Sequence, residues 1–98
     1  MPGFEILEHT ADVGVRARGD SREEAFEQAT RGLLDITGAS GTSTGERVTI
    51  EVGANDVGGA LVDWLEEVLY LQDARDSVVT DLRVERADDS GASGWVEI

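Results

Sequence analysis

The sequence has no cysteine, one proline, one histidine and no lysine, so all 8 of its basic side chains are arginine. Without cysteine there are no disulfides, no thiol catalysis, no iron–sulfur cluster and no cysteine-ligated zinc, and an intracellular setting is the simplest expectation. Long apolar runs are missing too. None approaches the roughly 20 residues of a membrane helix, and the N-terminus does not read as a basic and then apolar signal segment. These absences predict a cytoplasmic protein with no membrane partner. At 98 residues, the chain is expected to form one domain spanning 1–98.

Acidic residues, by contrast, are abundant: 21 against the 8 arginines, for a net charge of -13. So negative a body repels a phosphate backbone, so direct nucleic-acid binding is not expected. A basic protein partner or a bound cation fits the charge better, as does adaptation to a salty cytoplasm, where an acidic surface maintains solubility.

The apolar pattern predicts five strands and two helices. Phe4 and Ile6, then Val13, Val15 and Ala17, alternate with polar neighbours, the period of two half-buried strands. Ser21, with Glu24 three residues on, forms a capping box ahead of EEAFEQATRGLLDIT, in which Phe26, Ala29, Leu33 and Ile36 form the predicted buried stripe. GASGTSTG, residues 38–45, reads as a mobile loop with too little apolar surface to offset ordering. RVTIEV follows as a third strand. Asn55 or Asp56 then caps a long helix with Val57, Leu61, Trp64, Leu65, Val68 and Leu71 on one side.

Gly58–Gly59 in that helix's first turn costs about 1 kcal/mol per glycine relative to alanine unless something packs closely there. It is no phosphate loop, having neither lysine nor the spacing. SVVTDLRVERA and WVEI read as a closing hairpin around a turn at DDSGASG. Because strands and helices do not alternate strictly, the expected fold is α+β, an antiparallel or mixed sheet with both helices on one face.

The stretch EHTADVGVRARG places the lone His9, Thr10 and Asp12 at the junction of the first two strands. His9 suits a general base, a metal ligand or a hydrogen-bonded structural role. No nucleophile with a matched base stands out, so a Ser-His-Asp triad is poorly supported. Asp12, flanked by Ala11 and Gly14, is open to a hard cation such as Ca²⁺ or Mg²⁺, which takes oxygen ligands. If the last strand pairs beside the second, Glu97 and the α-carboxylate of Ile98 join it. In the second helix, Asp63, Glu66 and Glu67 surround Trp64 and are followed by Tyr70 and Asp73. They read as a solvated acidic face or as a docking surface for a basic partner.

EHTADVGVRARG, SREEAFEQATRGLLDIT and ALVDWLEEVLYLQD, in this order and spacing, resemble the successive signatures of the archease family over about the first three quarters of the chain. Members show a His-Thr-Ala-Asp strand opening and a Leu-x-x-Trp-Leu-x-x-Leu-Leu-Tyr-Leu type helix. The resemblance implies a non-enzymatic partner of an RtcB-type RNA ligase. Such partners promote loading of the ligase's histidine with GMP from GTP, and hence multiple turnover in tRNA splicing and RNA repair. It also implies a divalent-cation site (Ca²⁺, with Mg²⁺ or Mn²⁺ as alternatives) built from Asp12, Glu97 and Ile98, although members usually end in Asp-Ile or Asp-Val.

This chain departs from the pattern near its C-terminus. Members run longer, with further strands and a Thr-Tyr-His motif that is missing here, so WVEI either replaces the family's final strand or resembles it by accident. Two other readings follow: a metal-dependent hydrolase using Asp12 and His9, and a chaperone-like or structural module with a degenerate metal end.

Overall fold

Strands β1 (Gly3–Glu8) and β2 (Val13–Arg18) lead into helix α1 (Arg22–Thr37), strand β3 (Arg47–Gly53) and helix α2 (Val57–Arg75), and strands β4 (Asp81–Asp88) and β5 (Gly91–Glu97) complete the chain. This arrangement comes from a computed structural model that describes residues 3–8, 13–38 and 41–98. The expected α+β class and antiparallel pairing are present, but the strands divide between two sheets. β1 and β2 form a two-stranded sheet, in register from Gly3 opposite Arg18 to Glu8 opposite Val13. The second sheet has the order β3-β5-β4, antiparallel throughout. Both helices pack on the three-stranded sheet, as expected, and share β4, while α1 also touches β1 and β2 and α2 also lies against β3 and β5. No helix among the described residues is long and apolar enough to cross a membrane.

Local chemistry sets the helix ends. Ser21 Oγ accepts the Glu24 amide at 3.1 Å, half of the expected capping box. Asp56, of the two candidates, caps α2: its Oδ1 accepts the Gly59 amide, with a Cβ on Gly59 falling 3.1 Å from that oxygen. The close packing needed to justify a glycine there is therefore supplied by the cap. α2 ends at Asp76, which adopts a left-handed backbone with φ 47°. A non-glycine residue in that region costs on the order of 1 kcal/mol, and an acidic side chain at a helix C-terminus opposes the helix dipole. Asp76→Gly should therefore raise stability by about 1 kcal/mol, measured as an upward shift of the thermal midpoint.

The core joins the inner face of the three-stranded sheet (Ile50, Leu82, Val84, Ala87, Ala92, Val96) to Phe26 of α1 and Ala60, Trp64 and Val68 of α2. The buried line of α1 differs from the stripe expected at Phe26, Ala29, Leu33 and Ile36. Phe26, Thr30 and Gly32 are buried, and Ile36 is exposed. Thr30 earns its place by hydrogen bonding: its Oγ1 donates to the Phe26 carbonyl at 2.7 Å and accepts the Trp64 indole N–H at 3.0 Å. The stretch expected as a mobile loop is tied at its described end, where Thr42 bridges Ser77 and Thr44 bonds Ile98. β5 begins at Gly91, inside the stretch expected to be a turn, and leaves only Asp89 and Ser90 between it and β4.

Candidate functional site

The two expected cation ligands near the C-terminus are built into the sheet. Glu97 stands opposite Arg47 of β3 and Asp81 of β4. Its Oε1 lies 4.0 Å from Arg47 Nη2 and its Oε2 3.5 Å from Thr80 Oγ1. The Ile98 side chain is buried in the core. Its amide donates to Glu46 O at 2.8 Å, and its backbone oxygen accepts from Glu46 N at 2.9 Å, Thr44 N at 3.1 Å and Thr44 Oγ1 at 3.1 Å. β5 therefore has both neighbours already and does not pair with β2, whose partner is β1. Asp12 and His9 lie outside the described residues.

A hard cation of the Ca²⁺ kind takes six to eight oxygens. Glu97 and Ile98 alone supply too few oxygens for one, so such a site would need Asp12 as well. The carboxylate faces a guanidinium, the backbone oxygen already accepts three donors, and among the described residues no group of three or more His, Asp or Glu is placed to hold a metal.

The acidic face of α2 divides cleanly. Trp64 points inward with 0% exposure, whereas Tyr70 is 64% exposed. Asp63, Glu66 and Asp73 are also on the surface, with Glu67 half-buried. Glu66 and Tyr70 form a ridge between two clefts. One, of about 460 Å³, lies between Asp63, Glu66, Glu67 and Tyr70 of α2 and Val52–Gly53 of β3. The other, of about 550 Å³, is bounded by Thr37 of α1 and by Leu69, Asp73 and Ser77. Carboxylates and a phenol in this arrangement suit recognition of positive charge, with no nucleophile–base pair on that wall.

Several contacts have no signal in the sequence pattern. Glu27 of α1 accepts the Val84 amide of β4 at 2.8 Å, next to the irregularity between Val84 and Arg86. On the outer sheet face, the Arg47 guanidinium sits 3.8 Å from the Trp95 ring centroid. In the β4–β5 turn, hydrogen bonds from the Ser90 hydroxyl and amide, and then the Arg86 guanidinium, hold the Asp88 carboxyl down at about 2. Nothing but the fold distinguishes these residues from the other acids and arginines of the chain.

Residues 4–96 match the family model described as the archease protein family (MTH1598/TM1083). The chain belongs to the archease family. It is 40% identical over 85 residues to protein archease of Pyrococcus furiosus, covering 86% of this chain and 60% of that relative. Protein archease of Methanosarcina barkeri is 35% identical over 83 residues, covering 84% of this chain and 57% of the relative. For Saccharolobus islandicus the figures are 44% over 68 residues, with 68% of this chain and 49% of the relative covered. The chain thus spans about half to three fifths of the length of these archeases. The tryptophan of the archease-like helix signature is Trp64, and its place is the core.

Proposed function

We propose that this protein is an activator of an RtcB-type RNA ligase, a binding partner that promotes guanylylation of the ligase and so its repeated turnover in tRNA splicing and RNA repair. The observation that carries the reading is membership of the archease family across residues 4–96. The acidic, aromatic-bearing face of α2 supports it as a surface suited to a positively charged protein partner. A divalent cation held by Asp12 with Glu97 and Ile98 belongs to the same proposal, with Asp12 as the ligand on which it turns. The reading includes no catalytic residue on this chain, a cytoplasmic location and no direct contact with RNA.

The test is multiple-turnover joining of a 2′,3′-cyclic-phosphate RNA by the ligase of the same organism, with GTP and Mn²⁺, with and without this chain. Turnover of substoichiometric ligase should rise. Asp12→Ala should abolish the rise while leaving the circular dichroism and thermal midpoint of the fold unchanged. Calorimetric titration with Ca²⁺ and Mn²⁺ should show binding heat that the variant lacks.

A second reading is favoured by the engagement of Glu97 with Arg47 and Thr80 and of the Ile98 backbone with Thr44 and Glu46. It takes the chain as a structural module that retains the archease core without activating a ligase. No stimulation by this chain, together with rescue of the same ligase by a longer archease and equally negligible cation heats for this chain and its Asp12→Ala variant, would establish that module and overturn the activator.

A further inference from the structure

The edge of the three-stranded sheet opposite β4 is built to be paired and is unpaired among the described residues. In an antiparallel ladder alternate residues bond to the partner strand. Glu46 and Ile98 exchange both their bonds, at 2.8 and 2.9 Å, and the Ala54 amide reaches Ser90 O at 3.0 Å. Residues of that parity (Val48, Ile50, Val52) therefore face β5, and the amides and carbonyls of Arg47, Thr49, Glu51 and Gly53 point away from it. β4 is managed differently: Glu27 takes its Val84 amide, and Arg31 of α1 reaches Asp81 at 3.4 Å. Open edges with free donors and acceptors are templates for another strand.

What distinguishes the β3 edge is the helix above it. Asp63, Glu67 and Tyr70 recur along one flank of α2, and with Glu66 they close a cleft of about 460 Å³ whose other wall is Val52–Gly53. A strand added to β3 would turn every second side chain toward that flank. Those side chains would repeat at about 6.7 Å, and the cleft meets β3 at Val52–Gly53, so positive groups on that side of the added strand would enter beside the carboxylates. The Tyr70 ring offers a cation–π face at the end of the row.

We propose that β3 and α2 together form a docking groove for an extended, basic peptide segment of a partner, which joins the sheet as a fourth strand and directs alternate Lys or Arg side chains onto Asp63, Glu66, Glu67 and Tyr70. Charge selects this occupant over a second copy of the chain. A symmetric β3–β3 contact would face these carboxylates with the apolar Val48, Ile50 and Val52 of the other molecule, and would join two bodies of net charge -13 each. The proposal goes beyond the ligase reading and does not depend on it, because it specifies the chemistry of the docked segment and can be tested without any ligase.

The experiment uses the full chain and a short synthetic peptide alternating lysine with valine, followed by amide hydrogen exchange and binding titration. The Arg47, Thr49 and Glu51 amides should exchange fast in the free protein and slow at least about tenfold with peptide bound. Combining Asp63→Asn, Glu66→Gln and Glu67→Gln should weaken binding by about tenfold or more, and added salt should weaken binding to the unaltered protein. Peptide binding that leaves those amides unchanged would overturn the groove, as would no binding or equal affinity for the triple variant. Protection of the same amides in free protein that disappears on dilution would assign the edge to a second copy and overturn the proposal as well.

Discussion

Trp64→Ala is expected to cost about 3 to 5 kcal/mol, a large part of what so small a domain has to lose. The indole is fully buried where α2 meets α1 and the sheet, so its removal leaves a void that the inner face of the sheet cannot collapse to fill. Part of the cost is specific to the polar tip. The indole N–H donates to Thr30 Oγ1 at 3.0 Å and the same hydroxyl donates to the Phe26 carbonyl at 2.7 Å, so the buried polar atoms form a closed chain. Thr30→Val tests this chain separately: it preserves volume but strands the indole donor, and should cost about 1 to 3 kcal/mol. Urea unfolding of both variants provides the comparison. A loss under about 1 kcal/mol for Trp64→Ala would contradict the placement of the indole.

Gly94→Val should be at least as damaging, and for a backbone reason. Gly94 is central in β5, between Ile50 of β3 and Val84 of β4. A Cβ on Gly94 would overlap the Arg83 carbonyl and press on the Val84 Cα, beside the irregularity between Val84 and Arg86. Main-chain atoms of a paired strand cannot swing aside as a side-chain tip can. The effect should therefore exceed the roughly 1 to 3 kcal/mol of ordinary overpacking, and Gly94→Ala should already show most of it. Gly91, at φ 148° and with its Cβ direction blocked by the Val52 carbonyl, should behave in the same way. Soluble expression and thermal denaturation are the readouts, and a Gly94→Ala midpoint within a degree or two of the parent would refute the close approach.

These glycines also show where reading along the chain falls short. DDSGASG looks like a turn because glycine and serine ordinarily interrupt structure, yet Gly91–Gly94 is the start of the central strand. The glycines are there because β3 and β4 crowd β5 from both sides, and a one-dimensional pattern does not contain its neighbours. The buried line of α1 departs from the expected stripe for a related reason. Hydropathy ranks Ile36 above Thr30, but Thr30 can satisfy a buried indole while Ile36 falls near the helix end at 38% exposure.

Local signals determined what is local. The caps at Ser21 and Asp56, the helix lengths, the strand at β3 and the α+β class all follow from interactions between residues a few positions apart, which sequence spacing records directly. The family signature is of the same kind, since it is carried by three contiguous motifs. Tertiary structure alone decided that the strands form two sheets, that β5 takes both β3 and β4 as partners, that Glu97 meets Arg47 and Thr80, and that the α2 acids overhang an open strand edge. Each of these is a pairing between distant segments, chosen by the burial of whole faces and the satisfaction of backbone hydrogen bonds, and neither quantity is defined until the chain is folded.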